Sequence, residues 1–196
     1  DYESDVYIPS PDDEYYVELA DAIRDDLSYS VTIEKYVNHD YDSAYTWVWY
    51  AQVSDNMANS EIVNECLLEN AMYYAEQFER HEIKDVSLTV VSYVAYMDED
   101  ILSVVVNENY IMSGEYYAGL RCLNFDVKTG TLLNNTDLIT VSDKLVDAFI
   151  EQSLYQNGEV SSMAYYSEEE IKDFMREEEN LILFYTPVGL EIGFNH

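Results

Sequence analysis

The stretches VSLTVVSYVAYM (86–97), ILSVVVNENYIM (101–112) and YYAGLRCLNFDV (116–127) decide the fold. Each is rich in β-branched and aromatic residues, each alternates with a period near two, and only short polar turns separate them. The turns are Asp98-Glu99-Asp100 and Ser113-Gly114-Glu115. Three such strands joined by tight turns read as an antiparallel meander. In the third strand Leu123, Phe125 and Val127 share one face, and Cys122, Asn124 and Asp126 share the other. Lys128-Thr129-Gly130 follows as a tight turn, with Gly130 supplying a positive φ.

Working outward from the meander, residues 60–81 carry Val63, Leu67, Ala71, Tyr74, Ala75 and Phe78 at helical spacing, with Ser60 placed to cap the helix. On the other side, residues 142–156 present Leu145, Val146, Phe149, Ile150 and Leu154 and stop at Asn157-Gly158. Ser167-Glu168-Glu169-Glu170 is a capping box opening a short acidic helix. Residues 31–37 and 45–53 read as strands, and 181–185 with 190–194 as a hairpin around Pro187-Val188-Gly189. Residues 1–11 read as a loose acidic leader and 12–27 as a helix. The expectation is an α+β fold: an antiparallel β-meander sheet with amphipathic helices packed on one face. Residues 1–29 are an acidic N-terminal leader and helix, and 30–196 the α+β domain. The expected core includes Val63, Leu67, Phe78, Val90, Val104, Leu123, Phe125, Leu145 and Phe149.

Charge narrows the class of partner. Nine Lys and Arg face forty Asp and Glu, a formal net charge of −31 in 196 residues. Nucleic acid and anionic membrane surfaces need clustered cations, so neither is an expected partner. A basic protein would be steered toward such a chain. The same charge also serves solubility alone, and both readings stand at this point. Twenty tyrosines suit half-buried strand faces and binding surfaces equally.

Little in the sequence points to catalysis. The histidines His39, His81 and His196 have no ligand-type neighbour at short spacing, and the segment around Asp40 and Asp42 lacks the glycine and distal glutamate of a calcium loop. No nucleophile elbow and no phosphate-cradling glycine loop occurs. Cys66 and Cys122 have no zinc or redox spacing; a disulfide between them and two buried free thiols are both open, the second favoured by their apolar settings. The chain is therefore expected to be no enzyme, with no catalytic residue, no metal and no cofactor.

The stretch Asn107 to Leu138, with Asn124-Phe125-Asp126-Val127-Lys128-Thr129-Gly130-Thr131-Leu132-Leu133 at its centre and Leu133 to Leu138 in an L-x-x-x-D-L pattern, resembles the extracellular domain of unknown function in RsiV-type anti-sigma factors, and the resemblance extends over roughly residues 30–196. A similar domain accompanies some peptidoglycan deacetylases. The helix at 60–78 resembles the one that precedes the family's meander, and 184–194 its penultimate hairpin. Two features depart from the pattern. The family's Gly-Gly-Ala-His segment is replaced by Ser113-Gly114-Glu115-Tyr116-Tyr117-Ala118-Gly119, and a further strand after the last hairpin is absent.

The resemblance implies a non-catalytic binding or sensing domain of a bacterial envelope protein. It would be extracytoplasmic, at the cell surface or secreted, and held to the membrane only through a protein or lipid anchor outside this chain. The resemblance implies cell-surface recognition as a class and not lysozyme itself; with the net charge, the expected partner is a basic protein such as lysozyme, or a cell-wall glycan. The alternative it implies is an accessory domain of a peptidoglycan deacetylase or hydrolase whose catalytic part lies outside these residues. The expected binding residues are Glu115, Tyr116 and Tyr117, aromatic anchors with a charged rim, although the same tyrosines also suit simple packing on the strand's outer face.

Overall fold

The computed structural model describes residues 22–40, 44–157 and 165–195. Its elements are β1 (Val31–Asp40), β2 (Ala44–Val53), α1 (Ser60–Arg80), β3 (Val86–Met97), β4 (Ile101–Met112), β5 (Glu115–Asp126), β6 (Thr131–Leu132), a 3-10 turn (Asn135–Asp137), α2 (Asp143–Asn157), α3 (Glu168–Arg176), β7 (Leu181–Thr186) and β8 (Gly189–Phe194). The six strands β1 to β6 form one sheet in sequence order, and β7 and β8 form a separate hairpin.

The meander is present, but the sheet is mixed rather than purely antiparallel. β2 pairs with β3 in parallel, Ala44 opposite Val86 through Trp49 opposite Val91. The cause is α1. A helix between two neighbouring strands returns the chain to the same end of the sheet, so the strands it joins run the same way. Its stripe of Val63, Leu67, Ala71 and Phe78 is buried on the sheet beside Val90, Val104, Leu123 and Phe125.

A second correction concerns the helices, which do not share one face. Alternation along β4 and β5 sends Val104, Val106, Leu123 and Phe125 toward α1, and Val105 and Cys122 to the opposite face with Ala95 and Phe184. That opposite face is covered by β7, and α2 and α3 pack with the hairpin in a cluster around Val146, Ile171, Met175 and Leu183. The expected core residues Leu145 and Phe149 belong to this cluster, partly buried. A bulge between Val94 and Tyr96 switches the parity of β3, which is why Val94, Ala95 and Met97 are all buried.

A buried polar chain ties the two layers together. Ser103 Oγ donates to Asn124 Oδ1 at 2.6 Å. Asn124 Nδ2 donates to Asn135 Oδ1 at 2.7 Å and to the Leu183 carbonyl at 2.9 Å. Asn135 Nδ2 reaches the Cys122 carbonyl, and the Tyr185 N–H donates to Ser103 Oγ. Asn124 is completely buried.

Two local details differ from the sequence reading. The α1 cap is Asn59, in the left-handed region at φ 53°, and Ser60 is the first helical residue. Asn59 tolerates that conformation, and its amide donates to the Thr129 carbonyl, tying the helix start to the β5–β6 turn. Of the helix expected over 12–27, residues 22–27 are described, and they run without helix; 12–21 lie outside the described residues. The Ala22 N–H instead donates to the Val94 carbonyl at the bulge. The capping box at Ser167 forms with both of its bonds.

Gly130 sits at φ +65°, and a Cβ there would lie 2.1 Å from the Ala58 carbonyl oxygen. Gly130→Ala is expected to lower stability by more than about 2 kcal/mol, combining left-handed strain with a backbone clash. Urea unfolding of the variant checks this; a loss under about 0.5 kcal/mol would mean the loop at Ala58 moves aside.

Candidate functional site

A cleft of about 720 Å³ opens beside the outer edge of β5, a size ordinary for a ligand site. One wall is α1, through Asn70, Tyr73 and Tyr74; its floor is β4 and β5, from Glu108 and Tyr110 to Tyr117 and Arg121. The far wall is the segment 178–181 with Leu132, Leu133 and Asn195. Strand alternation places Glu108, Tyr110, Tyr117 and Arg121 on the α1 side, because each lies an even number of residues from Val104 or Leu123.

Tyrosines make the cleft's structural frame. Tyr110 and Tyr117 are directly opposite in the β4–β5 register and stack at 4.8 Å with an interplanar angle of 16°. Tyr74 joins Tyr110 at 5.0 Å and Tyr73 at 5.2 Å. The Arg121 guanidinium lies 4.3 Å from the centre of the Tyr73 ring. Such a stack orients the charge while leaving its edge available for hydrogen bonds.

Arg121 also meets Glu108. Its Nη2 donates to both carboxylate oxygens, at 3.2 and 3.3 Å. The Glu108 side chain is 6% exposed and that of Arg121 31%. Burial pushes the Glu108 carboxyl above its ordinary value, and the Arg121 charge offsets this only in part. Among the described residues Arg121 Nε is buried with no hydrogen-bond partner.

The sign of the Glu108 shift makes a test. Between 4.5 and the raised folded value, the folded chain holds a proton that the unfolded chain has lost. The stability this contributes is present at low pH and lost as pH rises through that window. Asp98 and Asp126 behave oppositely, held low by hydrogen bonds from Tyr96 and from Thr129, and their contribution is lost as pH falls. An NMR titration of the Glu108 carboxyl carbon is expected to show a midpoint above 4.5. A midpoint below it would mean that the ion pair outweighs burial.

The expected site residues are distributed differently from a loop. Ser113 at φ 54° and Gly114 at φ 84° form a two-residue hairpin turn. Glu115, Tyr116 and Tyr117 therefore lie in β5, opposite Met112, Ile111 and Tyr110. Tyr117 lines the cleft, and its hydroxyl donates to Glu115 Oε2 at 2.7 Å. Tyr116 is on the opposite face, donates to Asn109 Oδ1, and is 65% exposed. The cleft residues Glu108, Arg121, Tyr73 and Asn195 had no local signature in the sequence; they meet only through the strand register and the return of the C-terminal hairpin.

One further carboxylate and both thiols are tied into the fold. Glu178 caps the 3-10 turn, accepting from the Asn135 and Thr136 N–H groups at 2.9 and 2.8 Å. Both cysteines are free. Cys66 packs on the α1 side of the sheet and Cys122 on the β7 side, where burial pushes its thiol up to about 12. Among the described residues no group of three or more His, Cys, Asp or Glu is placed to hold a metal ion. Nor is any helix among them long and apolar enough to cross a membrane.

No family model matches the chain, and no curated protein matches it. Among solved structures it is similar to a DUF3298 family protein from Pseudomonas aeruginosa PAO1, with a TM-score of 0.48 and 12% identity over 72% of this chain and 74% of that one. It is also similar to a DUF3298 member from Bacteroides fragilis NCTC 9343, with a TM-score of 0.41 and 13% identity over 91% and 92%. These structural neighbours belong to a family defined as a domain of unknown function. At such scores and identities the likeness carries no functional argument.

Proposed function

We propose that this chain is a non-catalytic binding domain of a bacterial envelope protein, and that it captures a basic protein of the lysozyme type in the cleft beside β5. The observation that carries the reading is a tyrosine-framed cleft in a chain of net charge −31. Aromatic anchors give contact area at low entropic cost, and the charge gathers cationic partners. The non-catalytic part is supported by how two of the cleft's three carboxylates are used: Glu108 is committed to Arg121 and Glu178 to the 3-10 turn, while the third, Glu179, is exposed at the rim. The extracytoplasmic, anchored setting is part of the same proposal and rests on the resemblance of residues 107–138.

Calorimetric titration with hen egg-white lysozyme at low salt is the test. Measurable heat with one-to-one stoichiometry supports the reading, and no heat at low salt removes it. A second reading has its own support. The cleft walls carry the amides of Asn70 and Asn180, and a glycan of the cell wall would use such groups, as the accessory domain of a peptidoglycan-modifying enzyme would need. A neutral chitin oligosaccharide that binds with no salt dependence, where lysozyme gives no heat, would favour it.

A further inference from the structure

We infer that the partner of this domain docks by adding an extended basic segment to the open edge of β5. The inference rests on the basic-partner reading and goes further in naming the mode of capture. β6 pairs only with Phe125 and Asp126. Beyond it, the Leu133 N–H reaches the Asn124 carbonyl and the Asn135 amide reaches the Cys122 carbonyl. From Leu120 back to the hairpin turn, no strand among the described residues lies on the outer side of β5.

What occupies that edge at Leu120 is a side chain. Asn195 Oδ1 accepts from the Leu120 N–H at 3.0 Å, and Asn195 Nδ2 donates to the Leu120 carbonyl at 2.7 Å. One amide thus makes both bonds that an antiparallel neighbour would make to a single residue. A residue's N–H and C=O point to the same side of a strand and alternate along it, so Tyr116 and Ala118 present their backbone groups outward as Leu120 does. Ala118, Gly119 and Leu120 line the cleft. Edge strands are ordinarily blocked by proline, lysine, bulges or cover. Residues 115–120 contain no proline and no lysine, and the β4–β5 register runs without a bulge. The blocking group at Leu120 is a single side-chain amide, which an incoming backbone replaces bond for bond.

The occupant follows from charge. A second copy of this chain would bring another −31 to the same edge, and edge-to-edge pairing of two copies is opposed by that repulsion. A segment carrying Lys or Arg is attracted. Its backbone would pair with β5 while side chains on the α1 side met Tyr117 and the Glu115 carboxylate. Backbone pairing supplies affinity and Tyr117 on the cleft side supplies selectivity, as in other strand-addition sites.

The test uses an acetylated, amidated peptide of alternating Lys and Thr as probe, with two isomers, one N-methylated at every Lys and the other at every Thr. An added strand uses only alternate N–H groups, so the isomers must differ. One is expected to bind within about twofold of the parent, and the other at least about tenfold more weakly, from the loss of two or more hydrogen bonds. Asn195→Ala is expected to tighten the parent severalfold. Ala118→Pro, which removes an outward N–H and leaves the β4 ladder intact, is expected to weaken it about fivefold with its thermal unfolding unchanged in shape. Equal binding of the two isomers overturns strand addition and leaves the basic-partner reading standing. Binding of lysozyme without binding of the parent peptide does the same. Absence of binding by both removes the two proposals together.

Discussion

Asn124→Leu is expected to lower the free energy of unfolding by about 3–5 kcal/mol. The side chain is fully buried and uses both ends of its amide, accepting from Ser103 and donating to Asn135 and to the Leu183 carbonyl. Leucine fills a similar volume, so little of the loss comes from a cavity. Most comes from three partners left without their bond in a site closed to water, each costing about 1–3 kcal/mol before relaxation. Ser103 keeps the Tyr185 N–H and Asn135 keeps the Cys122 carbonyl, which holds the sum below the simple total. Guanidinium unfolding should show the midpoint falling with the slope unchanged. A loss under about 1 kcal/mol would mean that the β7–β8 layer is held to the sheet by apolar contact alone.

The association rate with a basic protein should fall by at least about tenfold between roughly 10 mM and 150 mM salt. A chain with forty acids and nine bases has a field that reaches a cationic partner from outside contact range when the screening length is long. At physiological ionic strength that reach shrinks to about 8 Å, and only the final approach is helped. Dissociation should respond to a different variable. Tyr117→Ala removes the ring stacked on Tyr110 at the cleft and is expected to raise the off-rate about tenfold with the salt slope intact. Tyr116→Ala, on the opposite face, is expected to leave both rates within about twofold. Stopped-flow or interferometry at several salt concentrations separates the two effects. A salt-independent on-rate would contradict the electrostatic half of the account, and equal responses of the two tyrosines the positional half.

The bounds of β3 and β4 are legible in the alternation of 86–97 and 101–112, because strand period and turn chemistry are local properties. The stripe of α1 and the capping box of α3 are legible for the same reason. What the pattern conceals is the second covering of the sheet. Val104, Val105 and Val106 follow one another in β4, a run with no polar face, and that is the signature of a strand buried on both sides. Asn124 misleads in the other direction, since a polar residue opposite Phe125's face reads as solvated when it is the hub of a closed network. The parallel β2–β3 pair follows from a helix lying between two strands, but only once those strands are known to be neighbours. The cleft is least legible of all. It gathers residues 70–74, 108–110, 117–123, 178–181 and 195, and no short window of sequence contains more than one of its walls. Tyr117 was within reach because it is part of the meander itself.

The most direct measurement is an NMR titration of the isotopically labelled domain with a basic protein at low salt, following every backbone amide. The account predicts that the amides of Tyr73, Tyr117, Ala118, Leu120 and Arg121 shift most, with those of Ala118 and Leu120 protected from exchange in the complex. Shifts concentrated instead on the β1–β2 hairpin or on α2, with the β5 edge unmoved, would contradict it.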